Sequence, residues 1–464
     1  MHEHQRSQSV ALERCVLARI IGPQDAFTEN PLDEMKGLAE SAGTQVLGGI
    51  VQRRETPDSK TYLGKGKVAE LKQLVEMHEA DLVIFDNDLS PSQTRNLEKA
   101  VCRKVIDRTE LILDIFASNA RTREARLAVE LAQLEYSLPR LKRMWTHLSR
   151  QTMGVGMRGP GEKQLEVDRR LVEKRIHELK QDLLKVEKRK EREVAGRRDY
   201  LTVSLVGYTN AGKSTLMNTL TEADVEAVDK LFATLDTRTR RWTLPSWGPV
   251  LLSDTVGFIR DLPHNLVASF RATLEEAREA DLLLHVADCS NPNVLDQISA
   301  VYAVLKDLGI DEKQTLLVLN KVDVDGAQER LQVVQNRYPH SIAISAKSKL
   351  GLDSFAARVS QALSEGFVTL SVRLEVTDGK TMAWLAKVGE VTSKQFHDDH
   401  VEIRARLPAR HAGKLAADHP DHEVLDGRLP ETKPVPESWE EQLPTAGSML
   451  HGSESEDLPG EEVA

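Results

Sequence analysis

Over the first 118 residues, the pattern of apolar and polar positions switches between the period of a β-strand and the period of an α-helix. Strands are predicted where short apolar runs occur, at residues 15–21, 44–52, 82–85 and 104–106. Helices are predicted between them, at residues 31–42, 65–78 and 90–100. Strands that alternate with helices predict a small parallel α/β domain over residues 1–118. Within it, Gly64-Lys65-Gly66-Lys67 is compatible with a phosphate contact or with an ordinary loop that starts a helix.

Residues 119–199 repeat their apolar positions at heptad spacing. The first seam comprises Leu127, Leu131, Leu134, Leu138 and Leu141, and the second comprises Asp168, Val172, Ile176, Leu179, Leu183 and Val186. Each seam is too narrow to be buried by its own helix. We therefore predict two helices packed as an antiparallel hairpin, the first of them kinked at Pro139.

A glycine-rich stretch separates the two seams. It reads Arg150-Gln151-Thr152-Met153-Gly154-Val155-Gly156-Met157-Arg158-Gly159-Pro160-Gly161, which predicts a loop at the tip of the hairpin. Basic side chains surround this tip: Arg140, Lys142, Arg143, His147, Arg150, Arg158, Lys163, Arg169 and Arg170. A projecting basic loop suits a phosphate-lined pocket in folded RNA, and a solvated loop on a charged helix pair is the alternative.

Residues 200–366 again alternate apolar strands with helices. Strands are predicted at residues 201–206, 240–244, 250–254, 282–288, 315–319 and 341–344. Polar motifs follow several of these strands, and open α/β sheets bind ligands at the carboxyl ends of their strands. We therefore predict a mostly parallel sheet with helices on both faces and a ligand site at that edge.

The first polar motif has the spacing G-x-x-x-x-G-K-[ST]. It reads Gly207-Tyr208-Thr209-Asn210-Ala211-Gly212-Lys213-Ser214 and lies between a strand and a helix that starts at Thr215. This is the context of a phosphate-binding loop, in which backbone N–H groups and the helix N-terminus face the phosphates. Lys213 then reaches the β- and γ-phosphates, and the Ser214 hydroxyl ligates Mg²⁺. An ordinary glycine-rich turn is the alternative.

Four further motifs follow in order: Phe232-Ala233-Thr234-Leu235-Asp236, Asp254-Thr255-Val256-Gly257, Asn320-Lys321-Val322-Asp323 and Ser345-Ala346-Lys347. Together with the phosphate loop, they resemble the five signature motifs of small GTPases of the translation-factor superclass. The resemblance implies that Thr234 ligates Mg²⁺ and senses the γ-phosphate. It also implies that Asp254 holds the metal through water and that the Gly257 N–H contacts the γ-phosphate. Lys213, Thr234 and Gly257 are then the predicted catalytic residues.

The same resemblance assigns the guanine site. It implies that Asn320 and Asp323 read the guanine edge, and that Lys321 packs on the base. The Ala346 N–H would meet the guanine oxygen. A motif that selects guanine argues against the alternative of an ATP-using phosphate-loop enzyme.

Longer stretches narrow the resemblance. Residues 86–93, 107–116, 158–162 and 254–260 are similar to signature sequences of the HflX family of ribosome-associated GTPases. The chain departs from the family pattern at Thr237, Met157 and Lys163. The resemblance implies Mg²⁺-dependent GTP hydrolysis, binding to the large (50S) ribosomal subunit near the peptidyl-transferase region, and dissociation or rescue of stalled 70S ribosomes. A GTPase that acts in RNA modification or ribosome assembly without splitting ribosomes is the alternative.

Two residues near the phosphate site carry further expectations. Phe258 stands where many relatives have a water-orienting glutamine, which predicts slow intrinsic hydrolysis because phenylalanine forms no hydrogen bond to water. Asn210 matches the asparagine with which some related GTPases hold K⁺ near the phosphates. K⁺ is therefore a second cation to test beside Mg²⁺.

The C-terminal part changes in composition. A strand, a helix and a strand are predicted at residues 368–376, 380–389 and 400–407, which indicates a small α/β domain over residues 367–411. Residues 412–464 are rich in Pro, Glu, Ser and Gly and predict a disordered acidic tail.

The charge and the cysteine content of the chain limit the cellular compartments in which we expect the protein. The net charge is −10, yet residues 140–198 are basic. The three cysteines form no C-x-x-C pair, which fits a reducing cytosol without structural disulfides. No apolar run reaches the ~18 residues that a membrane span needs. We expect a cytoplasmic monomer that associates with ribosomes or peripherally with membranes.

Overall fold

The computed structural model describes residues 13–23, 30–144, 160–195, 200–222, 231–232, 238–244, 248–260, 276–310, 314–364, 367–419 and 422–426. The chain divides into two compact units, Met1–Gly366 and Phe367–Ala464. In the part of the chain that is described, no helix is both long and apolar enough to cross a membrane.

The first domain is a parallel sheet with the strand order β2-β1-β3-β4. Its strands are β1 (Arg14–Ile21), β2 (Gln45–Arg53), β3 (Leu82–Phe85) and β4 (Lys104–Asp107). Its helices are α1 (Asp33–Ser41), α2 (Lys65–Met77), α3 (Pro91–Val101) and α4 (Arg108–Asn119). A capping box between Ser90 and Gln93 starts α3. The predicted parallel α/β fold is confirmed.

Helix α4 was not predicted from the sequence. The Asp107 carboxylate caps its start by accepting the Glu110 N–H. Its buried residues include Leu111, Leu113 and Phe116, which lie on several faces of the helix. A helix that is apolar nearly all round lacks the one-sided period on which the prediction depends.

A helical hairpin follows, formed by α5 (Arg123–Met144) and α6 (Pro160–Ala195). Glu124 at the start of α5 contacts Arg189 near the end of α6, so the two helices are antiparallel, as predicted. Leu131 and Leu179 of the predicted seams are buried, and α5 continues through Pro139. The predicted tip loop lies outside the described residues, apart from the first turn of α6.

The next domain contains a six-stranded sheet with the order β10-β9-β8-β5-β7-β6. All pairs are parallel except β6 with β7. The strands are β5 (Thr202–Gly207), β6 (Arg238–Leu244), β7 (Gly248–Asp254), β8 (Leu282–Asp288), β9 (Thr315–Asn320) and β10 (Ile342–Ala343). The described helices include α7 (Lys213–Leu220), α8 (Val294–Asp307), α9 (Ala327–Arg337) and α10 (Leu352–Ser364). This is the predicted mostly parallel α/β sheet.

The C-terminal unit is an antiparallel sheet with the order β12-β13-β11-β14. Its elements are β11 (Phe367–Glu375), α11 (Gly379–Val388), β12 (Glu390–Phe396), β13 (His400–Pro408), α12 (Ala409–Asp418) and β14 (His422–Asp426). The prediction of a disordered tail from residue 412 was therefore wrong up to Asp426. Ala412 and Leu415 are buried one turn apart on α12, and β14 extends the sheet beside β11. Residues 427–464 lie outside the described residues.

Candidate nucleotide-binding site

Two glycines fix the course of the phosphate loop between β5 and α7. Gly207 has φ +150°, and a Cβ there would lie 2.2 Å from the Val286 carbonyl oxygen. Gly212, which precedes the first turn of α7, has φ +92°, and its Cβ would lie 2.3 Å from Asn320 Nδ2. Any side chain at either position would collide with a neighbour and also strain the backbone. The loop therefore requires the glycines of the motif.

Lys213 is buried beneath the loop. Its Nζ donates to the carbonyl oxygens of Gly207 at 3.1 Å and Tyr208 at 2.9 Å. Burial lowers the pKa of Lys213 to about 8, and the nearby Asp254 opposes this shift. A phosphate placed beside the ammonium group would favour its charged form. Lys213 thus lies against the loop, and its reach to the β- and γ-phosphates stays a prediction.

Ser214 and Asp254 form an oxygen pair that fits Mg²⁺. The Ser214 hydroxyl donates to Asp254 Oδ2 at 2.6 Å, and Asp254 lies buried at the end of β7. Mg²⁺ prefers such hard oxygen ligands and takes its remaining ones from water and phosphates. The predicted third group, Thr234, lies outside the described residues, as do Ala233, Leu235 and Asp236. Where residues are described, no group of three or more His, Cys, Asp or Glu side chains could hold a metal.

The segment from Asp254 to Arg260 lies directly on the phosphate loop. Thr209 N–H donates to the Phe258 carbonyl at 2.7 Å, and Phe258 N–H donates to the Gly207 carbonyl at 3.0 Å. The Thr255 hydroxyl donates to the Leu205 carbonyl at 2.7 Å, so Thr255, directly after β7, is tied to β5. The side chain of Val256 is buried in the core.

Asn320 connects the phosphate loop to the predicted guanine loop. Its Nδ2 donates to the Ala211 carbonyl at 2.9 Å, and its Oδ1 accepts the Ala346 N–H at 3.0 Å. In this structure Asn320 and Ala346 therefore bind each other, although both were predicted to contact guanine. Asp323 is exposed, and reading of the base by Asp323 stays a prediction.

A carboxylate that the sequence prediction missed holds Lys321. Asp288 Oδ2 lies 2.7 Å from Lys321 Nζ, and Asp288 Oδ1 accepts the Ser290 N–H. Asp288 ends strand β8 next to β9, at the same edge as the other motifs. That position was the available signal, because ligand-site residues follow the carboxyl ends of the strands.

For the other predicted site residues, contact with the nucleotide stays a prediction. Val322 is buried in the core, Ser345 Oγ accepts the Ser348 N–H, and Thr215 lies in the first turn of α7. Lys347 is exposed.

Phe232, which was predicted among the nucleotide-binding residues, has its ring in the protein core. It is 2% exposed and packs edge to face on Phe116 of α4, with ring centroids 4.6 Å apart. Asn119 Nδ2 donates to the Phe232 carbonyl at 2.9 Å. The apolar ring is more stable in this core between the first domain and the nucleotide domain than at a hydrated phosphate site.

One edge of the sheet carries a loop shaped by two glycines over a buried lysine, an oxygen pair that fits Mg²⁺ and an Asn-Lys-x-Asp motif. Together these features define a phosphate-loop GTPase. Three family models match the chain: GTP-binding GTPase N-terminal at residues 29–117, GTP-binding GTPase Middle Region at residues 119–197, and 50S ribosome-binding GTPase at residues 202–321. The chain belongs to the HflX family of ribosome-associated GTPases and is a GTP-hydrolysing enzyme.

Individual relatives agree with this assignment. GTPase HflX of Escherichia coli K12 is 44% identical over 400 residues, which cover 85% of this chain and 94% of that protein. GTPase HflX of Magnetococcus marinus is 46% identical over 411 residues, which cover 87% and 95% of the two chains. Among solved structures, the SsGBP complex with GDP covers 76% of this chain and 99% of its own, with 25% identity and a TM-score of 0.46.

Proposed function

We propose that this GTPase is a cytoplasmic factor that binds the 50S ribosomal subunit and dissociates or rescues stalled 70S ribosomes. GTP and Mg²⁺ load the nucleotide domain, and the hairpin carries its basic, glycine-rich tip to ribosomal RNA near the peptidyl-transferase region. The observation that supports this proposal most is the way the hairpin is built and anchored.

The two hairpin helices are joined along their length. Arg175 lies 2.7 Å from Glu130, and Lys180 lies 2.8 Å from Glu135. Exposed pairs of this kind each contribute about 0–1 kcal/mol, and the burial of Leu131 and Leu179 adds an apolar contribution. A joined pair of helices can transmit a displacement from the tip to its base.

Helix α5 is fixed to the first domain at Asp107, through residues in the half of the helix that leads to the tip. This carboxylate is 1% exposed, accepts the Tyr136 hydroxyl at 2.7 Å and lies 2.8 Å from Arg140 Nη2. Arg140 also donates to the Leu89 carbonyl at 3.2 Å. Arg140 was predicted among the basic residues around the tip, and in the structure its guanidinium is bound to Asp107. Its charge is used inside the protein because a buried carboxylate needs a cationic partner.

The tip is tested by separating its function from GTP binding. Replacing residues 154–161 with a short neutral linker should leave GTP binding intact and abolish splitting of 70S ribosomes, measured by sedimentation. Reversing the charge of Arg150 and Arg158 should weaken subunit binding and flatten its salt dependence, because each lost phosphate contact lowers the slope. Reversing Lys72, an exposed residue of α2, is the matched control. Splitting at the native rate without the loop would refute the proposed role.

Hydrolysis should be slow in the free enzyme and should depend on the ribosome. Phe258 is 4% exposed and offers no polar atom to the attacking water. Asn210 is exposed and adopts a left-handed backbone conformation on the phosphate loop, from which we infer a K⁺ site. Phosphate release is measured in K⁺ or Na⁺, with and without 50S subunits. Fast turnover without ribosomes would contradict the first point, and equal rates in both salts the second.

A role in ribosome assembly or RNA modification is the alternative. It predicts that the protein loaded with a GTP analogue sediments with 50S subunits or their precursors and leaves 70S ribosomes whole. The same sedimentation experiment therefore decides between the two functions.

A further inference from the structure

A buried polar network joins the first domain to the phosphate loop. The Tyr208 hydroxyl donates to Glu34 Oε2 of α1 at 2.7 Å and accepts the backbone N–H of Arg260 at 2.8 Å. Arg108, at the start of α4, contacts both Glu34 and Asp86. Arg108 Nη2 also donates to the Arg260 carbonyl at 2.9 Å. The N–H and the C=O of Arg260 are thus both bound, one by the phosphate loop and the other by the first domain.

The protonation states in this network suit those contacts. Burial raises the pKa of Tyr208, and Glu34 adds to the shift, so the hydroxyl keeps the proton that it donates. Burial opposes ionisation of Glu34, but the adjacent Arg108 outweighs it and holds the pKa of Glu34 below its ordinary value. Hydrogen bonds between a neutral donor and a buried charge are among the stronger ones in proteins.

The segment that this network holds also closes the phosphate site. The Thr209 N–H binds the Phe258 carbonyl, and Lys213 binds carbonyls of the loop itself. A Cβ on Gly257 would lie 3.0 Å from Lys213 Nζ and 2.8 Å from Thr209 Cγ2. A γ-phosphoryl group therefore has no space between Lys213 and Gly257 unless the segment moves away. GDP lacks the group that makes this demand.

We propose that Glu34, Arg108 and Tyr208 form a latch that holds the Asp254–Arg260 segment against the phosphate loop and so sets the preference between GTP and GDP. When the γ-phosphate displaces the segment, the main chain of Arg260 leaves Tyr208 and Arg108. The free energy of these contacts is subtracted from GTP binding and leaves GDP binding untouched. A ligand shifts such an equilibrium only by its differential affinity for the two states.

The test removes the latch from its two sides. Tyr208→Phe deletes the hydroxyl and keeps the ring, and Glu34→Ala deletes its acceptor. The Kd values of a non-hydrolysable GTP analogue and of GDP are measured by titration calorimetry on the full chain. We expect the ratio of the GTP-analogue Kd to the GDP Kd to fall by about tenfold in each variant, the change that corresponds to one hydrogen bond with a charged partner. The double variant should fall short of the summed effect, because both changes remove the same contact.

Tyr302→Phe is the matched control. Tyr302 lies in α8, where its ring packs edge to face on His285. This variant should keep the wild-type ratio, and circular dichroism confirms that each variant is folded. If Tyr208→Phe and Glu34→Ala change both Kd values by one common factor, or change neither, the latch is refuted.

Discussion

Asn320→Ala should weaken the nucleotide site by removing hydrogen bonds within the protein. This effect is separate from any loss of contact between Asn320 and the base. Asn320 is 2% exposed, and its amide is the link between the Ala211 carbonyl and the Ala346 N–H. Alanine leaves both main-chain groups buried without that partner. Each orphaned group costs about 1–3 kcal/mol, so we expect a loss of about 2–6 kcal/mol in the stability of the two loops.

The loss should appear in two measurements. Nucleotide binds only the ordered loops, so a loss of 2 kcal/mol weakens GDP binding by up to about 30-fold in calorimetry. Hydrogen exchange should also accelerate at the Ala346 amide, because its acceptor is gone. Asn293→Ala is the control, since Asn293 is exposed and its side chain caps no helix. Wild-type GDP affinity together with wild-type exchange at Ala346 would refute this reasoning.

Three further changes give distinct outcomes. Asp323→Asn should exchange guanosine for xanthosine nucleotide binding at unchanged thermal stability, because Asp323 is exposed; retained GTP preference in binding assays would contradict this. Gly257→Ala should abolish GTP hydrolysis in a phosphate-release assay, since its Cβ would lie 2.9 Å from Thr209 Cα. Burial raises the pKa of Glu110 to about 7, so the folded state holds this proton more tightly than the unfolded state does. Its contribution, up to about 3 kcal/mol, is present below about pH 4.5 and is lost as the pH rises to about 7. Denaturation across this range should show a flatter pH dependence for Glu110→Gln than for the wild type.

Local patterns in the sequence predicted most of the elements of the first 366 residues and the motifs at the edge of the nucleotide-domain sheet. The spacing from Gly207 to Ser214 predicts the phosphate loop because the glycines, the lysine and the hydroxyl group of the motif all lie within one short stretch of the chain. The ends of β7 and β9 place Asp254 and Asn320 at one edge, since parallel strands align their carboxyl ends. The heptad seams likewise predict the hairpin, because their period fixes which helix faces meet.

Only the tertiary structure decided which partner each polar group takes. From the sequence, Arg140 was predicted near the tip of the hairpin and Phe232 among the nucleotide-binding residues. The fold places the side chain of Arg140 against Asp107 and that of Phe232 against Phe116. Tyr208 and Glu34 are 174 positions apart, so no local pattern indicates their hydrogen bond. The spacing of residues in sequence determines which side chains are neighbours within one helix or strand. A buried polar group, by contrast, needs a hydrogen-bond partner, and the packing of the domains decides which partner lies within reach.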